Sequence, residues 1–227
     1  MTHKKLFAGM LTVLGFAIAS PAHAVVIGNT QGGTDFPQGA ISFADTLISL
    51  TFTASLPSLP HRGGFNALGL PDYAGNNSCT SQVDCTFVSL GSGGSIVLRF
   101  DDNKLTGSGN NALDLWVFEV GPDVEDTFVD ISMDGVIWSA VGKVFGSTAG
   151  IDIDFFGFTA TDQFGFVRLT DDTNEGGGGS GGTVGADIDA VGAISTVRTV
   201  NVPEPTVLPL LGIGLLGMVA AKRRKKA

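Results

Sequence analysis

Across residues 25–201 no segment keeps apolar side chains at a sustained helical spacing; the apolar runs are short, and turn residues separate them. Such a chain buries its apolar side chains by pairing strands. Glycine supplies 33 residues and phenylalanine 16, so turns and bulky core side chains come together. The pattern predicts strands over 41–54, 95–100, 113–120, 127–133, 136–141, 151–156, 164–170 and 187–194. The sharpest local signal is Asp134-Gly135, set between Val129-Asp130-Ile131-Ser132-Met133 and Val136-Ile137-Trp138. Asp-Gly between two β-rich runs predicts a tight hairpin with positive φ at both turn positions. About eight strands of mixed spacing suggest an all-β, two-sheet sandwich. It is expected to be jelly-roll-like rather than immunoglobulin-like, because no Cys…Trp…Cys arrangement occurs.

The two ends of the chain differ from this middle. Residues 1–24 carry Lys4 and Lys5, an apolar run from Leu6 to Ala19, and the small-residue site Ala22-His23-Ala24. That three-part layout predicts a secretory signal peptide cut after Ala24, and the apolar run is shorter than the roughly 20 residues a bilayer-spanning helix needs. Residues 202–227 read Val202-Pro203-Glu204-Pro205, an apolar helix over 206–221, and a basic tail over 222–226. A stop-transfer transmembrane helix with its basic tail in the cytoplasm follows from the positive-inside rule. On these grounds alone the tail is equally a plain membrane anchor.

The order of that tail resembles the PEP-CTERM sorting signal of Gram-negative bacteria, with Pro203, Glu204 and Pro205 as the motif. The resemblance implies an exosortase, a membrane cysteine protease, as partner, cutting near the motif and passing the protein outward. It implies anchoring in the inner membrane in transit, then the cell surface or extracellular matrix, in the setting of exopolysaccharide and biofilm or floc formation.

Residues 25–205, from the leader through the Pro-Glu-Pro motif, hold all 22 acidic residues but only six of the 13 basic ones, a formal charge of −16. The whole-chain value of −9 hides this. Such a surface repels phosphate backbones and excludes nucleic acid as a partner. It would also repel an acidic polysaccharide unless a divalent cation lay between them, which suggests calcium as a cofactor. Acidity by itself also serves solubility. Cys79 and Cys85 are the only cysteines; in an exported chain they predict one disulfide closing a short loop. Gly178-x-Ser180-x-Gly182 matches the spacing of a hydrolase nucleophile elbow, yet no apolar strand precedes it, and a mobile glycine-rich loop is the simpler reading.

Residues 94–100, 113–119, 129–135 and 185–191 together resemble a galactose-binding-like jelly roll of bacterial surface proteins, some of which bind calcium and glycans; residues 25–89 carry no such resemblance. Asp187 and Asp189 stand two apart on an expected strand, so their carboxylates project from one face. Calcium needs six to eight oxygens, so Asp114, Glu119, Asp171 or loop carbonyls would complete the set. The alternative is a strand with Ile188 and Ala190 in the core and its aspartates solvated. Asp101-Asp102-Asn103 and Asp152-x-Asp154 raise the same possibility with less support. For sugar stacking the aromatic candidates are Tyr73, Trp116 and Trp138, although a strand tryptophan more often belongs to the core. The expected function is non-enzymatic adhesion, with a calcium-dependent carbohydrate-binding module as the alternative and a two-carboxylate glycosidase as a third reading.

Overall fold

A computed structural model describes residues 23–28, 33–75, 79–120, 125–145, 148–174 and 182–199. Most of the expected signal peptide, the segment around Ser180, and the sorting tail with its apolar span lie outside the described residues. Among the described residues no helix is long and apolar enough to cross a membrane.

Among the described residues the first element is a short ribbon, β1 (Val25–Ile27) against β2 (Thr34–Phe36). There follow β3 (Thr46–Thr51), β4 (Val88–Ser89), β5 (Ser95–Arg99), β6 (Asn103–Leu105) and β7 (Leu115–Glu119). The second half adds β8 (Thr127–Ser132), β9 (Ser139–Val144), β10 (Thr148–Ile151), β11 (Phe166–Asp171), β12 (Asp187–Ala193) and β13 (Thr196–Arg198). One sheet has five strands in the order β3-β5-β11-β8-β9, and the other has four in the order β10-β7-β12-β4. Every strand pairing is antiparallel, and β6 with β13 forms a further ribbon. The chain crosses repeatedly between the two sheets, as in a jelly roll, and the expected all-β two-sheet sandwich is what forms.

Alternation decides which side chains meet. Ile96 and Leu98 of β5, Val129 and Ile131 of β8, and Val167 and Leu169 of β11 face Leu115 and Val117 of β7 and Ile188 of β12 across the gap. Each such side chain removed from water contributes roughly 1.5–3 kcal/mol. Strand β7 is buried on both faces. Its other face carries Trp116 and Phe118, which join Phe36, Phe43 and Ala190 in a second apolar layer under the β1–β2 ribbon. Gly192 makes that layer possible, since a Cβ there would lie 2.7 Å from Phe36 Cε1 and 2.8 Å from Phe43 Cε1.

Three strand expectations need correction. Over 41–54 the strand starts only at Thr46, because Gly39–Ser42 coils into a 3-10 turn ahead of it. Over 136–141 the strand is displaced to Ser139–Val144. Asp134 is the cause: its Oδ1 accepts the Val136 and Ile137 N–H groups at 2.8 and 2.9 Å, an Asx-type turn that uses up those donors. Gly135 has φ +76°, whereas no described non-glycine residue has positive φ, so the tight two-residue turn does not form. Over 151–156 only Ile151 is strand; Asp154–Phe156 is a 3-10 turn closed by Gly157 in the left-handed region.

Candidate functional site

The five carboxylates expected to share a cation fall into three separate places. Asp114 and Glu119 flank β7 at opposite ends, and five residues of strand put their backbones roughly 16 Å apart. One ion cannot bind both.

At the Glu119 end three of the expected residues lie near enough for their charges to act on one another, though not in a group tight enough to share one ion. Glu119 is 5% exposed, and neither carboxylate oxygen makes a hydrogen bond of ordinary geometry, the Asp187 N–H being the donor that approaches it. Burial, followed by the charges of Glu125, Asp187 and Asp171, pushes its carboxyl up to about 9. Asp187 lies beside the Glu119 strand, because Ile188 pairs with Glu119. It accepts the Ser89 hydroxyl, and burial raises its carboxyl to about 7. Asp171 ends β11 and accepts the Gly93 and Ala186 N–H groups, each at 2.8 Å. Burial raises its carboxyl as well.

Asp189 does not share this cluster. A bulge between Ile188 and Ala190 breaks the alternation that i and i+2 spacing assumes. Its carboxylate accepts the Asp72 and Tyr73 N–H groups at 3.2 and 3.3 Å, fastening their loop to β12. Burial raises its carboxyl to about 7. Tyr73 is half-buried, edge-on to Phe87.

At the far end of β7, Asp114 meets Asp152 and Asp154, the pair that the sequence singled out with less support. One ligating oxygen from each lies within 4.8 Å of the others. Asp114 is 0% exposed; its Oδ2 accepts the Ile153 N–H at 3.0 Å, and its Oδ1 has no partner. Asp154 accepts the Ser108 and Gly109 N–H groups at 2.8 and 3.1 Å, which holds the 107–111 loop over it. Beside them lies a cavity of about 250 Å³ lined by Gly109, Asn110, Asn111, Asp152, Asp154 and Phe155.

The tryptophans separate. Trp116 is a core residue of the second apolar layer. Trp138 is half-buried on the outer side of the five-stranded sheet, with the Arg168 guanidinium 4.5 Å from its ring centre. Arg168 is held by Asp130 at 3.0 Å, its register partner on β8. Asp130 also lines a groove of about 450 Å³ with Phe128, Ala140, Gly142, Lys143 and Thr170. Arg168 was missed from the sequence; the β8–β11 register that pairs it with Asp130 is what reveals it.

The Cys79–Cys85 disulfide is present. His61 lies against it, with Nδ1 3.7 Å from Cys85 Sγ, and its ring stacks on Phe87.

Residues 201–225 match the family described as the PEP-CTERM protein-sorting motif. The motif marks the chain for export, membrane-anchored transit and exosortase processing. No curated protein sequence matches the chain. Similar solved structures include the C-terminal domain of a chitobiase from Bacteroides fragilis, with TM-score 0.38 and 10% identity over 78% of this chain and 100% of that one. CpGH89CBM32-4 of Clostridium perfringens, solved with glcNAc-alpha-1,4-galactose, gives TM-score 0.36 and 12% identity over 81% and 100%. CpGH89CBM32-6 of the same organism gives 0.30 and 11% over 47% and 72%. At these scores the likeness carries no argument, and the sandwich is read from its own strand order.

Proposed function

We propose that this chain, which ends in a PEP-CTERM sorting motif, is delivered to the cell surface or extracellular matrix of a Gram-negative bacterium. There its sandwich acts by non-catalytic adhesion within exopolysaccharide, in biofilm or floc. The observation that carries this reading is the motif at 201–225, placed behind a strongly acidic β-sandwich. The sandwich's histidine, His61, is buried against Phe87 and the disulfide, a poor position for a general base that must reach a substrate.

The test is cell fractionation of the producing bacterium. Replacing Pro203, Glu204 and Pro205 by alanine, or deleting the exosortase, is expected to leave an uncut precursor in the inner membrane. Normal surface delivery in both strains would overturn the sorting role. Turnover of a polysaccharide by the purified protein would overturn the non-catalytic one.

A calcium-dependent carbohydrate-binding role is the second reading, and Trp138 favours it. A half-exposed indole beside the Asp130–Arg168 pair offers an apolar face and fixed polar groups together, which is what a sugar ring engages. Loss of glycan retention in Trp138→Ala, with unchanged thermal unfolding, is the expected result; equal retention would remove this reading.

A further inference from the structure

Both acidic groups hold a buried carboxylate with unpaired oxygen, Glu119 and Asp114, but only around Asp114 do three carboxylates each place an oxygen within 4.8 Å of the others. Around Glu119, the neighbours Asp171 and Asp187 spend their carboxylates on Gly93 N–H, Ala186 N–H and the Ser89 hydroxyl. At the opposite end of β7, Asp114 is wholly buried and its Oδ1 makes no hydrogen bond, with the Ser195 and Ser108 hydroxyls the nearest side-chain donors to its carboxylate. A buried carboxylate oxygen left unpaired costs more than a neutral one, and a cation in contact offsets that cost. None of the ion pairs among the described residues reaches this cluster; they join Arg99 to Asp101, Lys143 to Asp126 and Asp172, and Arg168 to Asp130.

We propose that Asp114, Asp152 and Asp154 bind one divalent cation of calcium's size. The spacing fits: ligands at about 2.3–2.6 Å from a single calcium lie no more than roughly 5 Å apart, and the three carboxylates each place an oxygen within 4.8 Å of the others. Room is present in the adjoining cavity of about 250 Å³, whose Asn110 and Asn111 amides, with water, extend an all-oxygen set toward the six or more that calcium takes. An all-oxygen, triply anionic set selects a hard cation over zinc, which prefers imidazole and thiolate. Calcium suits a loop-built cavity better than magnesium, which demands near-octahedral ligands and dehydrates reluctantly.

The loop is shaped for this. Gly107 runs so close to Asp154 that a Cβ there would lie 2.8 Å from its Oδ1, and Asp152 Oδ1 accepts the Asp154 N–H at 3.0 Å. These contacts hold the Asp152 and Asp154 side chains beside the end of β7 before any ion arrives. A bound cation would tie the 107–111 loop, the start of β7 and the segment after β10 together, at the opposite end of the sandwich from Glu119. The site does not depend on glycan binding.

Chelator-treated protein is titrated with calcium chloride by calorimetry, with magnesium chloride in a parallel arm, and its thermal unfolding is followed in both. The expected result is one calcium per chain and a midpoint that rises with calcium concentration by mass action. Asp152 is half-exposed, so Asp152→Asn is expected to keep its metal-free midpoint while calcium affinity falls about tenfold or more. Glu119→Gln, at the other cluster, should bind as the parent does. Absence of heat and of any midpoint change at millimolar calcium would overturn the site. So would unaltered affinity in Asp152→Asn, loss of binding in Glu119→Gln instead, or tighter binding of magnesium than of calcium.

Discussion

Replacing Glu119 by glutamine should stabilise this protein at neutral pH and do nothing in acid. The side chain leaves the end of β7 on the face shared by Leu115 and Val117, almost wholly out of water. Burial first, and the nearby Glu125, Asp187 and Asp171 second, raise its carboxyl from 4.5 to about 9. In the unfolded chain the same group loses its proton near its ordinary value. Below that value both states hold the proton and the group contributes nothing. Above it the unfolded state is ionised while the folded state stays protonated, so stability falls as pH rises, and it goes on falling until the folded carboxyl titrates. At 1.36 kcal/mol per unit, the loss is about 3 kcal/mol at pH 7 and about 6 kcal/mol beyond pH 9. Asp187, raised to about 7, adds a loss of the same sign. Glutamine keeps the shape of the protonated acid but has no proton to lose when unfolded, so Glu119→Gln should gain about 3 kcal/mol at pH 7. Urea unfolding of the purified protein and the variant near pH 4 and near pH 7 measures the difference. A variant equally destabilised at both values would refute the reasoning, because the carboxyl would then be held by contacts that glutamine cannot reproduce.

Two further outcomes follow from the packing. Gly192→Val puts a side chain where Phe36 and Phe43 already sit; overpacking of this kind costs roughly 1–3 kcal/mol and should loosen the β1–β2 ribbon, read as a lower urea midpoint and faster proteolysis near residue 33. Serine at both Cys79 and Cys85 opens a short loop, and loop-closure entropy sets the loss at about 2 kcal/mol; an unchanged urea midpoint would mean that the surrounding contacts with His61 and Phe87 hold the loop unaided.

The strands legible in the sequence are those long enough to carry a period. β5, β7, β8, β11 and β12 all begin inside the predicted runs, because each spans five residues or more with an apolar alternation or a run buried on both faces. β4 has two residues, and β1, β2, β6 and β13 have three. Too short to show alternation, they depend on tertiary packing: β4 lies along the long β12, while the β1–β2 and β6–β13 ribbons are held by side chains such as Phe36 and Leu105 that enter the apolar layers. Trp116 shows the same dependence. Its neighbours Leu115 and Val117 face the inter-sheet core, so alternation points it outward, and only the distant Phe36 and Phe43 close over it.

The acidic residues show most clearly what spacing can and cannot settle. Two residues apart on a regular strand means a shared face, but a single extra residue cancels the rule, and the bulge between Ile188 and Ala190 sends Asp187 and Asp189 to different partners. Five residues apart on a strand means roughly 16 Å whatever the local irregularity, so Asp114 and Glu119 belong to different ends of the sandwich as soon as β7 is recognised. The residues that join Asp114 come from beyond β10, through a turn that the apolar pattern of 151–156 disguises as a strand. Asp152 and Asp154 are therefore best understood as turn residues that happen to interrupt an apolar run. Their carboxylates bind backbone N–H groups of their own turn and of the 107–111 loop, and it is this double anchoring that brings three carboxylates together with no ion pair to a basic side chain among the described residues.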